Sequence, residues 1–223
     1  MKTIEGLPLP EAVLRAAIPT FIDAGYDNAS MDAIAARAGT TKRTVYAHFG
    51  SKEQLFRAAV AKAVDLAHDM LPPLSTASNP TEELEAFAAR FCELCTWDRS
   101  VRLQRLVIGT AERFPDLSRR LHLDVIERTE RMVAAYLLTV VTLRHPGSKE
   151  RSLDWALAMA SLFLNMTAGA QRYAALLQAH EPIAGPPGAE ISSEVDRRQI
   201  NRAVRLFLSG FYADLAQWPA EGE

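Results

Sequence analysis

Apolar positions recur every three to four residues along almost the whole chain, and no convincing alternation of apolar and polar positions appears anywhere. The stretch from about Glu11 to Ala24 sets Val13, Leu14, Ala17, Ile18 and Phe21 on one helical face, and Gly25 suits a left-handed cap at its end. Pro19 lies inside this helix and removes one backbone donor, so a kink is expected there. Two short helices follow. Ser30 can cap the first, about Met31 to Arg37, and Gly39 breaks the chain. Thr40 or Thr41 can cap the second, about Lys42 to His48, which Gly50 ends. Ser51-Lys52-Glu53-Gln54 has the spacing of a reciprocal capping box for a longer helix reaching about Leu71, before Pro72 and Pro73.

Five further helices are expected. The first opens on Asn79-Pro80-Thr81-Glu82 and runs to about Cys95, and the second spans about Arg99 to Glu112. A long one starts at Pro115-Asp116 and ends near Leu143, before His145-Pro146-Gly147. The next, about Lys149 to Ala179, is apolar nearly all round, which implies burial on more than one side. Prolines and glycines mark Glu181 to Ile191 as a loop, and a last helix is expected from about Ser193 to Gln217. The fold class is therefore all-α, with about nine helices.

Composition narrows the picture. A chain of 223 residues with 48% hydrophobic and 23% charged residues can bury a substantial core. Its formal net charge of -2 gives no support to a wholly basic nucleic-acid binder, so the distribution of charge has to be read. The opening residues lack the apolar core of a signal peptide, and no apolar run is long enough to span a bilayer, so a cytoplasmic protein is expected. Cys92-Glu93-Leu94-Cys95 has the spacing of a redox or metal pair, but neither a βαβ context nor further ligands accompany it. Buried helix cysteines are the default reading, with a thiol sensor left open. No metal or cofactor is expected. Nor is an enzyme, since H-E-x-x-H, G-x-S-x-G and phosphate-loop patterns are missing.

Two short helices joined by a glycine-containing turn form the minimal unit that reads a DNA major groove. If Val45 and Phe49 face inward, a rotation of about 100° per residue puts Arg43 and Ala47 outward, with Thr44 and Tyr46 beside them and Lys42 at the helix start. That surface offers a forked donor, hydroxyls and a methyl group, which suit guanine edges, phosphates and thymine methyls. Between Arg37 and Arg57, five cations (Arg37, Lys42, Arg43, Lys52, Arg57) face Glu53 alone. Positive charge is concentrated where phosphate would lie.

These residues closely resemble the TetR/AcrR family of bacterial transcriptional regulators. The matching text is Ala17-x-x-x-Phe21-x-x-x-Gly25-Tyr26, Ser30-Met31-Asp32-x-Ile34-Ala35-x-x-Ala38-Gly39 and Thr41-Lys42-x-Thr44-Val45-Tyr46-x-His48-Phe49-x-Ser51-Lys52-x-x-Leu55. The stretch from Arg105-Leu106-Val107 through Arg113-Phe114-Pro115-Asp116-Leu117 is similar to the AefR-like subfamily. The resemblance implies a helix-turn-helix DNA-binding domain over residues 1–56 and a larger helical ligand-binding and dimerisation domain over 57–223. It places Ser30, Thr41, Lys42, Arg43, Thr44, Tyr46, His48 and Lys52 where family members touch DNA, with Tyr46 and Lys52 on phosphate.

It also implies that an apolar cavity in the larger domain holds a hydrophobic or amphipathic effector, for which Phe91, Tyr136, Trp155, Phe163 and Met166 are the lining candidates. Two copies are expected to pair through the last two helices. The expected function is that of a homodimeric repressor of a palindromic operator, released by its ligand. A constitutive DNA-binding or architectural protein without ligand control is the alternative.

Overall fold

The computed structural model describes residues 6–144 and 151–217. The expected His145-Pro146-Gly147 turn and the expected helix start at Lys149 lie outside them. Among the described residues every regular element is helical: α1 (Leu9–Asn28), α2 (Met31–Arg37), α3 (Lys42–Phe49), α4 (Lys52–His68), α5 (Pro80–Thr96), α6 (Asp98–Gly109), α7 (Pro115–His122), α8 (Arg128–Arg144), α9 (Leu153–Leu164), α10 (Ala170–Leu176) and α11 (Arg197–Gln217). A π-helical turn, Leu123–Glu127, continues α7 into α8, and a second, Asn165–Gly169, continues α9 into α10, leaving nine continuous rods.

Helix ends follow local chemistry. The hydroxyls of Ser30, Thr41 and Ser51 each accept from the backbone N–H three residues on. The reciprocal half expected at Ser51-Lys52-Glu53-Gln54 is absent, because the Ser51 N–H donates to the Phe49 carbonyl instead. α11 starts later than expected, since Asp196 caps it by accepting from Gln199 N–H at 3.0 Å. In α1 Pro19 keeps helical torsions, and the residue that departs from them is Gly25, with φ 75° and ψ 172°. A proline's fixed φ is itself helical, whereas a positive φ is not.

The chain divides into two compact units. The first comprises residues up to Asp69 together with Arg102–Val125, so α4 runs unbroken through the boundary expected between residues 56 and 57. It keeps α4 because Leu55, Phe56, Ala59, Val60 and Val64 are buried with Val13, Ala17 and Phe21 of α1. Phe114 and Leu117, distant in sequence, enter the same core.

The second unit takes Met70–Val101 and everything from Ile126 on. Its core gathers Phe87, Phe91, Leu137, Phe163 and Phe207. A buried ion pair lies within it. Arg90 donates to Glu93 at 2.5 Å and to the carbonyls of Gly188 and Ala189, while Glu93 accepts from Ser192 N–H at 2.8 Å. These bonds tie the loop before α11 to α5, and the Ile183 N–H, donating to the Thr96 carbonyl at 2.9 Å, ties it again.

Candidate nucleic-acid interface

The recognition element is built from very little buried material. Of the eight residues of α3, Val45 alone is buried, and Ile34 and Ala35 of α2 complete the contact beneath it. Gly39, at φ 69°, makes the reversal between the two helices, a conformation that a side chain disfavours. Thr41 closes α3 twice, since its hydroxyl accepts from Thr44 N–H at 3.2 Å and lies 2.8 Å from the Thr44 hydroxyl.

Most of the remaining predicted residues lie at the surface. Ser30, Thr41, Lys42, Arg43, Tyr46 and His48 are exposed, and Thr44 is half-buried. Tyr46 keeps 40% of its surface. Lys42 donates to Asp32 of α2 at 2.9 Å, and this bond holds its ammonium above its ordinary pKa. Lys52 is half-buried at the start of α4, where it donates to the Asp27 carbonyl at 2.8 Å and lies 5.1 Å from the Tyr26 ring centre.

These contacts revise the charge count. Asp32, five positions outside the counted window, partners Lys42, and Arg57 pairs with both Glu53 and Asp116. Arg37 and Arg43 stay exposed as the cations of α2 and α3 without such a partner among the described residues. Asp32 carried no signal as a partner in the sequence, because helical spacing does not connect residues ten apart on separate helices. Tyr26 stood in the matching text, yet nothing local announced that its ring would lie under Lys52.

Of the expected effector-lining residues, Phe91, Tyr136 and Phe163 are buried in one core of the second unit. Trp155 is half-buried against it, lies tilted to the Phe211 ring with centres 5.5 Å apart, and donates its indole N–H to Asp214 at 2.9 Å. Met166 does not join them and stays 43% exposed. It lies in the π-helical turn, where Thr167 and Ala168 take the inward positions. Burial pushes the Tyr136 hydroxyl up to about 12, and among the described residues that oxygen meets no hydrogen-bond partner.

Cys92 and Cys95 are both buried on α5 and are not joined by a disulfide. Burial pushes their thiols up to about 12 and about 11, the opposite of a reactive thiolate. Among the described residues no group of three metal-ligating side chains forms, and no helix is long and apolar enough to cross a membrane.

Comparisons with known proteins agree with this geometry. Residues 13–59 match the family described as bacterial regulatory proteins, tetR family. Residues 82–213, more than half of the chain, match the AefR-like transcriptional repressor, C-terminal domain. The HTH-type transcriptional activator FasR of Mycolicibacterium smegmatis is 37% identical over 87 residues, covering 39% of this chain and 40% of that protein. The match thus spans about two fifths of that curated relative's length. A putative TetR-family regulator from Mesorhizobium loti superposes with a TM-score of 0.74 at 26% identity, covering 91% of this chain and 96% of that one. The flavonoid-responsive regulator FrrA gives 0.70 at 26% identity over the same shares. A putative transcriptional regulator from Pseudomonas aeruginosa shares the fold at 15% identity, with a TM-score of 0.66 over 98% of this chain and 99% of that one. The chain belongs to the tetR family of bacterial regulatory proteins, with an AefR-like C-terminal domain, and is a DNA-binding transcriptional regulator rather than an enzyme.

Proposed function

We propose that two copies of this chain insert α3 into successive major grooves of a palindromic operator, repress transcription there, and are released by a hydrophobic or amphipathic small molecule. The observation that carries the reading is α3 itself: one buried valine beneath an exposed set of Thr41, Lys42, Arg43, Tyr46 and His48. Arg43 supplies the forked donor for a guanine edge, Tyr46 and Lys52 hold phosphate, and Ser30, Thr44 and His48 flank them. The exposed Lys42–Asp32 pair exchanges readily for phosphate, since such surface pairs add little to stability.

The division of labour we propose is DNA reading in residues 1–56 and effector binding and pairing in 57–223, with the first core continuing beyond residue 56 through the rest of α4. Leu162, Met166 and Tyr173, from α9 through α10, Leu177 just after it, and Leu206 of α11 are exposed in the single chain. An apolar surface of this kind fits a self-complementary interface between two copies. For the effector, the unpartnered Tyr136 hydroxyl among apolar groups supports a ligand with one polar handle on a largely apolar body. A relative named as flavonoid-responsive supports the same class. Repression follows the description of the matched C-terminal family, although FasR is named an activator.

The test is selection of bound sequences from a random duplex library with wild type and Arg43→Ala in parallel. The reading expects an enriched palindrome that the variant loses or alters; a folded dimer that enriches nothing at moderate salt would sink it. Thermal shift against amphipathic compounds then addresses the effector, because a ligand bound to the native state raises the midpoint. Binding should couple to operator affinity by about 1–3 kcal/mol. A protein that no compound shifts, and that still holds the palindrome, is a constitutive binder.

A further inference from the structure

Lys52 reaches Asp27 through the backbone carbonyl, while the carboxylate of that same residue is held elsewhere. Arg113, in the turn between α6 and α7, bonds the Asp27 carboxylate at 2.7 Å. Its guanidinium also lies 4.7 Å from the Tyr26 ring centre, the ring that Lys52 approaches to 5.1 Å. Tyr26 itself is buried, fixed by Phe56 at 5.1 Å and Phe114 at 4.8 Å, so the ring is a rigid platform shared by two cations. One residue therefore presents a neutral oxygen to Lys52 and a charged group to Arg113.

We propose that Arg113 is a positioning residue for DNA binding: by occupying the Asp27 carboxylate it keeps Lys52 on the Asp27 carbonyl, with its ammonium charge available to phosphate. A carbonyl partner leaves that charge whole and two N–H donors free. A released carboxylate, a side-chain length away, would capture the ammonium and cancel it. That carboxylate is 77% exposed, so among the described residues nothing but Arg113 keeps it from the ammonium. Arg113 thus acts through Asp27 and Lys52 and need not touch DNA. The inference rests on the assignment of Lys52 to phosphate made above.

The experiment measures the affinity of the full chain for a random-sequence duplex over a salt series, because the phosphate contribution is independent of sequence. The variants are Arg113→Ala, Arg113→Lys, Asp27→Asn, Arg113→Ala with Asp27→Asn, Lys52→Ala, and Lys52→Ala with Arg113→Ala. Arg113→Ala should weaken binding about five- to tenfold and lower the salt slope by about 0.9, the loss of one phosphate contact. Arg113→Lys should stay near wild type, and adding Asp27→Asn to Arg113→Ala should restore affinity and slope. Lys52→Ala should weaken binding by a similar factor, with no further loss when Arg113→Ala is added. Unfolding midpoints are followed in parallel, and Arg113→Gln replaces Arg113→Ala if the latter does not fold. An Arg113→Ala, Asp27→Asn double variant as weak as Arg113→Ala alone overturns the proposal, for Arg113 would then bind phosphate itself. So does Arg113→Ala binding like wild type while Lys52→Ala is weak. If Lys52→Ala binds like wild type, it is the assignment of Lys52 that fails, and the proposal falls with it.

Discussion

α3 and α5 put their residues to opposite uses. α3 buries Val45 alone, whereas α5 buries twelve of its seventeen residues, including Arg90 and Glu93. Nearly every side chain of α3 is free to be selected for what it touches outside the chain. Nearly every side chain of α5 is committed to what surrounds it. Substitution in one should therefore alter binding at constant stability, and substitution in the other should alter stability first.

The largest effect expected is on α5. Glu93→Ala strips Arg90 of its buried counter-charge and frees the Ser192 N–H, at a cost of about 3–5 kcal/mol in urea unfolding. A loss below about 1 kcal/mol would show that water already reaches the pair. Within α3, Val45→Ala should cost about 2–3 kcal/mol, because the single buried anchor has few neighbours to close over the gap. Arg43→Ala should leave the unfolding midpoint unchanged while costing about 1–3 kcal/mol of discrimination at one base pair. A variant that shifted stability instead would break the contrast between the two helices. Smaller again is the response of α5 to pH. The Cys92 and Cys95 thiols ionise near 9 when unfolded but are pushed up to about 12 and about 11 in the fold. Their contribution is intact below pH 9 and is lost as pH rises through the folded values, so unfolding midpoints should fall above pH 9. The fall should be shallower in a Cys92→Ala, Cys95→Ala double variant. The smallest effect is on Asp32→Asn, which should raise affinity for random duplex DNA about twofold to fivefold by releasing Lys42.

The same contrast explains how far the sequence could be read. Ser30, Thr41 and Ser51 cap helices through partners three residues away, so the helix-turn-helix and its outer face were open to local reasoning. The partners of Lys52, Arg57 and Arg113 lie 25, 59 and 86 residues distant, and no periodicity reports them. The π-helical turn at Asn165–Gly169 was hidden for another reason. A single added residue within a rod that is apolar on most sides does not disturb the pattern, yet it decides that Met166 faces out while Thr167 and Ala168 face in. Pro19 was the reverse case, a conspicuous residue whose own torsion suits the helix that holds it.

The loop that closes over Arg90 and Glu93 sets an order of events as well as a contact. The Ser192 N–H that Glu93 accepts from is 99 residues downstream of it. At about 5–20 residues per second, α5 leaves the ribosome about 5–20 s before the chain that completes its polar pair. Until then Arg90 and Glu93 have each other, but not the carbonyls and the N–H that complete their bonding. Chains cut short before Gly188 lack these partners as well as the buried face of α11, and should be cleared by proteases.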